Sequence, residues 1–149
     1  MTAVDLLPGL PDPETRPEFY ASVPLKRAFA WFADLILIAI LTAIVVPFTA
    51  FIGAFFLPFL FFVVGFLYRW VLLSNGSATL GMRLAAIEFR NSGGDHFDAN
   101  TAFLHTAGYT VSFLIFPLQL LSIALMLISE RGQGLNDHVL GTTAVNRIV

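Results

Sequence analysis

Between Ala28 and Tyr68 the chain runs for 41 residues with a single charge, Asp34. Thr42 and Thr49 are the only other clearly polar side chains before Tyr68. One bilayer crossing takes about 20 apolar residues. A run of twice that length predicts two transmembrane helices, placed at 26–47 and 57–73. The turn joining them falls between Pro47 and Pro58, beside Gly53, and carries no charge. Phe48, Phe51, Phe55, Phe56, Phe59 and Phe61 are among the aromatic residues of this region. They read as lipid-facing and inter-helix bulk rather than as a ligand cage. Trp31, Tyr68 and Trp70 fall near the predicted helix ends, as interfacial anchors do.

Composition agrees. Of 149 residues, 57% are hydrophobic and 12% charged, against about 25% charged in ordinary soluble domains. The chain reads as one domain whose solvent is largely lipid. Its net charge of -2 excludes the basic footprint of a nucleic-acid binder. Without cysteine, disulfides, thiolate metal sites and thiol nucleophiles are excluded. Residues 1–25 form a polar tail broken by five prolines and read as irregular. The tail is not a secretory signal, because acidic residues come first and the apolar run starts only after Arg27.

Residues 101–129 again hold no formal charge, counting His105 as neutral. As one helix they would span about 43 Å, too long for one hydrocarbon core of about 30 Å. Pro117 divides them into 101–116 and 117–129, roughly 24 and 20 Å long. The stretch is either one long tilted helix or a pair of short helices that goes in and comes back. Charge favours the return. The basic residues Arg16, Lys26, Arg27, Arg69, Arg83, Arg90, Arg131 and Arg147 then share one face. The positive-inside rule makes that face, with both termini, cytoplasmic. Asn91-Ser-Gly-Gly94 reads as a hairpin with residues 95–97 as the return strand. Residues 86–89 and 142–148 also alternate like strands, and pairing them would satisfy both edges. The fold class is an all-α integral membrane protein: two full transmembrane helices, a Pro-kinked third segment forming a helical hairpin, and a small cytoplasmic β element. The membrane domain is 26–149.

Asp34 is the sharpest polar signal. An ionised carboxylate in lipid is costly, so it must be protonated, solvated or paired. Arg27 lies two turns earlier on about the same face, but helical side chains lean toward the N-terminus, so it leans away. Arg69, Arg83 or Arg131 is the expected partner. Asp34 is then either a proton or cation carboxylate or half of a buried pair fixing helix packing. Asp137 could cap a short helix or meet an arginine at the membrane boundary. His105 and His138 are too scattered for a metal site, and His105 reads as hydrogen-bonded packing. Gly76 and Gly81 make no phosphate loop. Ser112 and Ser122 have no general base arranged around them. No catalytic, cofactor or metal site is expected.

An Arg opening the first membrane helix, an Asp inside it and a second Asp in a Gly-Leu-x-Asp-x-x-x-Gly-Thr segment resemble the RDD family. Arg27, Asp34 and Asp137 match the three residues that name it. Residues 78–84, Ala-Thr-Leu-Gly-Met-Arg-Leu, resemble the family's Thr-Leu-Gly-Lys-Arg-Leu element. The resemblance covers 22–149. Met82 stands where the family usually has Lys, and His105 where many members have Arg. The resemblance implies a compact, multi-pass protein of the bacterial inner membrane, with transport of an ion or small solute suggested for the family. A non-catalytic accessory or assembly subunit of a larger membrane complex is the alternative, and a homo-oligomer would supply the helices a transporter needs.

Overall fold

The computed structural model describes residues 9–147. Helix α1, Val23–Phe48, has 26 residues and so extends about 39 Å. Pro24 sits in its first turn, where a missing N–H costs nothing. The chain reverses through Ala50 and Phe51, both in the left-handed region (φ 53° and 64°), and a 3₁₀ turn at Ile52–Phe56. The Thr49 hydroxyl donates to the Val46 carbonyl and accepts the Gly53 N–H (2.7 and 2.9 Å). The turn thus satisfies part of its backbone internally.

Helix α2, Leu57–Gly76, follows. It runs one turn beyond the expected end at 73. Ser74 and Asn75 bond back to the carbonyls of Trp70 and Val71, so these polar residues continue the helix rather than break it. Both α1 and α2 are long and apolar enough to cross a membrane.

A short helix α3, Leu80–Leu84, leads to strand β1, Ile87–Arg90. Helices α4, Ala99–Leu114, and α5, Phe116–Ile128, carry the third apolar stretch. They are bent by 117°. The break is at Ile115, not Pro117. Pro117 lies in the first turn of α5, the one helical place where proline is tolerated, so the helix breaks just before it. Helix α6, Leu135–Leu140, and strand β2, Thr143–Asn146, end the described chain.

β1 pairs antiparallel with β2, Ile87 opposite Asn146 and Arg90 opposite Thr143. The return strand expected at 95–97 does not form. The Asn91 side chain accepts the N–H groups of Gly93 and Asp95 (both 3.0 Å), closing a local turn. The Phe97 N–H goes instead to the Ser77 hydroxyl (2.7 Å), and its ring stacks on Phe89.

The buried core lies at one end of the molecule. Val23, Ala30, Leu73, Ile87, Phe97 and Ala144 belong to it, so it joins the start of α1, the end of α2 and the β ladder. Lys26 reaches Asn146 there (2.7 Å). The described part of the N-terminal tail docks on the same end: Leu10 and Tyr20 are buried, and Asn146 donates to the carbonyls of Glu18 and Ala21. Trp70 donates to the carbonyl of Ala99, and Gly132, just past α5, accepts from Arg27. The α4–α5 pair therefore leaves this polar end and returns to it. At the opposite end Phe48 and Phe55 are each 85% exposed.

Candidate functional site

Asp34 lies eleven residues into α1 and is 1% exposed. Its Oδ1 accepts the Tyr68 hydroxyl (2.6 Å) and the Gly81 N–H (2.9 Å), and its Oδ2 accepts the Thr79 hydroxyl (2.6 Å). These bonds tie α1 to α2 and to the start of α3. Thr79 is also the N-cap of α3, accepting the Met82 N–H (3.2 Å). Only glycine fits at 81, because a Cβ there would collide with the Ala30 carbonyl and the Asp34 carboxylate.

None of Arg69, Arg83 and Arg131 pairs with Asp34. Neutral donors supply what a cation was expected to supply, since hydrogen bonds to the charged form stabilise a carboxylate without a counter-ion. Arg69 lies over the Tyr109 ring, 4.1 Å from its centroid. Arg83, exposed, is in the last turn of α3 and reaches over Gly76. Arg131 is buried, with its carbonyl accepting from the Thr143 hydroxyl.

Asp137, fully buried in α6, gathers the second cluster. Its Oδ2 takes Arg27 Nη1 (2.5 Å) and the Gly134 N–H (3.1 Å). Its Oδ1 takes the Thr142 hydroxyl (2.7 Å) and faces His105 Nε2 (2.9 Å). The two expectations for Asp137, helix cap and arginine partner, are thus both met, and by the same oxygen, Oδ2. Burial alone would raise its pKa. The Arg27 guanidinium and the hydrogen bond and charge of His105 overcome that and hold it well below the usual carboxylate range. Arg27 also donates to the Gly132 carbonyl (3.2 Å) and lies over the Phe89 ring. It is therefore a partly buried clamp between the start of α1 and the segment from Gly132 to α6. His105 packs against Phe89 and Phe97.

Tyr68 and Trp31, expected as interfacial anchors, are used inside. Tyr68 holds Asp34, and Trp31 Nε1 donates to the Tyr109 hydroxyl (2.7 Å). Met82, in the place of the family's Lys, is buried in the core.

Both clusters face one cavity of about 790 Å³ between α1, α4 and α5, within the size range of small-molecule sites. Its walls are mainly apolar. Arg27, Asp34, Arg69, His105, Gln119 and Asp137 are polar exceptions. Leu25 and Phe32 on α1 and Phe116 and Leu127 on α5 line it while remaining largely exposed. They rim a gap between α1 and α5 that opens sideways. Among the described residues no three of His, Asp and Glu cluster as metal ligands.

The model of the RDD family matches residues 21–141, a span that takes in Arg27, Asp34 and Asp137. No curated protein and no solved structure matches the chain.

Proposed function

The chain belongs to the RDD family, and from that premise we propose that it binds a small solute in the cavity between α1 and α5 and moves it through the bilayer. The observation that carries this reading is the cavity itself. It is large, laterally open, and walled in part by α1 and α4, which the two carboxylate clusters hold in place. Asp34 and Asp137 have both oxygens engaged by protein donors. In this reading they fix the walls, and the solute meets other groups.

The polar end carries Lys26, Arg27, Arg83, Arg90, Arg131 and Arg147, and the opposite turns carry no charge. By the positive-inside rule this end is cytoplasmic, in the bacterial inner membrane, and the α4–α5 pair is a re-entrant hairpin. A reporter fused after Val149 should then be active in the cytoplasm, and external activity would overturn the topology.

A second reading, an accessory subunit of a larger membrane complex, draws on the Phe-tipped turn between α1 and α2. Extraction from the native membrane in mild detergent separates the two. A lone chain or homo-oligomer is expected for the solute carrier. A stoichiometric larger assembly would overturn that reading in favour of the subunit.

A further inference from the structure

The cavity's charges narrow the chemistry of its solute, and the narrowing rests on the reading above. We propose that the cavity takes a long-chain carboxylate. Its head would sit on the Arg69 guanidinium and the Tyr109 hydroxyl, and its acyl tail would enter sideways between α1 and α5.

The charge inventory points to Arg69. Four side chains of fixed formal charge line the cavity: Arg27, Asp34, Arg69 and Asp137. Asp34 spends its acceptors on Tyr68, Thr79 and Gly81. Asp137 and Arg27 are spent largely on each other. Arg69 has no carboxylate within 4 Å among the described residues, and its one described partner is the face of the Tyr109 ring (4.1 Å). It lies seven residues, about 10 Å, before the end of α2. It thus stands within an apolar helix long enough to cross a membrane, where a cation without a carboxylate partner marks a functional position. The Tyr109 ring holds it at the cavity wall.

Tyr109 adds a second donor. Its oxygen accepts the Trp31 N–H (2.7 Å), while its own hydroxyl hydrogen has no acceptor among the described residues. The Gln119 amide, on α5 across the cavity, likewise has no hydrogen-bond partner among the described residues. Unspent donors in an apolar cavity fit an anionic head, because a guanidinium fork matches a carboxylate bidentately. A single uncommitted cation matches a monoanion. A phosphate monoester carries about -1.5 to -2 at neutral pH and would be under-compensated. A small inorganic anion would leave most of about 790 Å³ of apolar space unfilled. The lateral gap rimmed by Phe32 and Phe116 suits a tail arriving from lipid.

The test compares three sixteen-carbon probes on the full chain in a non-ionic detergent: palmitate, hexadecanol and hexadecylammonium. Palmitate should bind one per chain and at least about 10-fold tighter than hexadecanol, the change expected from about one charged hydrogen bond. Arg69→Gln should erase that preference and leave hexadecanol unchanged. Ile123→Trp, which fills the cavity from α5, should abolish binding of every probe. If Arg69→Gln does not elute as the parent does, Tyr109→Phe keeps the ring under Arg69 and should cost part of the palmitate preference. Equal binding of palmitate and hexadecanol, both lost in Ile123→Trp, would overturn the carboxylate assignment and leave the cavity reading standing. Tighter binding of hexadecylammonium would also overturn the assignment. Binding indifferent to Ile123→Trp would overturn both.

Discussion

Replacing Asp34 separates a structural clamp from a working carboxylate, and the geometry sets the size of the effect. The side chain accepts three hydrogen bonds in a site that is 1% exposed. A hydrogen bond to a charged partner contributes about 1.5–3 kcal/mol. Asp34→Ala removes all three and leaves two hydroxyls and a backbone N–H buried without an acceptor. The loss is on the order of 4–9 kcal/mol before relaxation, comparable to the roughly 5–15 kcal/mol of a whole domain. Asp34→Ala should therefore fail to accumulate.

Asp34→Asn is milder. Its oxygen keeps the bonds from Tyr68 and Gly81, while its amide turns toward Thr79. The Thr79 oxygen already accepts the Met82 N–H. It can accept the new amide hydrogen as well, but its own proton then lacks a partner. The cost is about one charged hydrogen bond and the weakening of the other two, roughly 2–4 kcal/mol. At about 2–4 °C per kcal/mol for a chain of this size, the unfolding temperature in detergent should fall by about 4–16 °C. Tyr68→Phe should cost about 1.5–3 kcal/mol alone and much less when combined with Asp34→Asn, because the two residues share one interaction. An Asp34→Ala protein with the parent's unfolding temperature would refute the clamp, as would full additivity of the pair.

The Arg27–Asp137 pair has a different signature. Arg27→Gln leaves a buried carboxylate short of its cation and should cost about 3–5 kcal/mol, read as lost accumulation. Adding Asp137→Asn should recover part of that loss, and a double variant worse than either single one would refute the pairing. The acid limb of stability reports on the same group. Because Asp137 is held below its unfolded value of about 3.9, its contribution is fully present above about pH 4. It is lost as pH falls through the lower folded value. Unfolding temperature followed from pH 6 downward should decline over that acid range, and Asp137→Asn should flatten the decline. A decline unchanged in the variant would assign it to other carboxylates.

Arg27, Asp34 and Asp137 are each visible in the sequence, because a charge inside or at the edge of an apolar run demands an explanation. Their pairing is not, since Arg27 and Asp137 are separated by 110 residues and no local periodicity encodes a contact at that range. The lean of Arg27 toward the helix start correctly separates it from Asp34. The partners of Asp34 escape a reasoning from charge because they are neutral. Tyr68 and the Thr79-Leu80-Gly81 element could have signalled them, as a hydroxyl less than two turns before the next polar segment and a Thr-x-Gly N-terminus both offer hydrogen-bond donors. Ile115 illustrates the same limit at the level of backbone. Proline marks a break, but whether the break falls on it or two residues earlier depends on which helix claims it as a first-turn residue. The cavity has no sequence signature at all, because it is a gap between α1 and α5 and belongs to neither segment.

The two departures from the family pattern bear on that gap. Lysine at 82 would put a charge into the core that Met82 fills. It would sit next to Gly81, whose N–H holds Asp34. Arginine at 105 would give Asp137 a second fixed cation beside Arg27. With Met and His there, neither cluster carries more fixed positive charge than its carboxylate needs. Arg69 is then the one cavity-lining cation that the clusters leave uncommitted among the described residues. Those two substitutions therefore sharpen the contrast between residues that hold the walls and the residue that faces the contents. On this logic Met82→Lys or His105→Arg should weaken selectivity for an anionic solute only by disturbing a clamp, whereas Arg69→Gln should remove selectivity and leave the clamps intact.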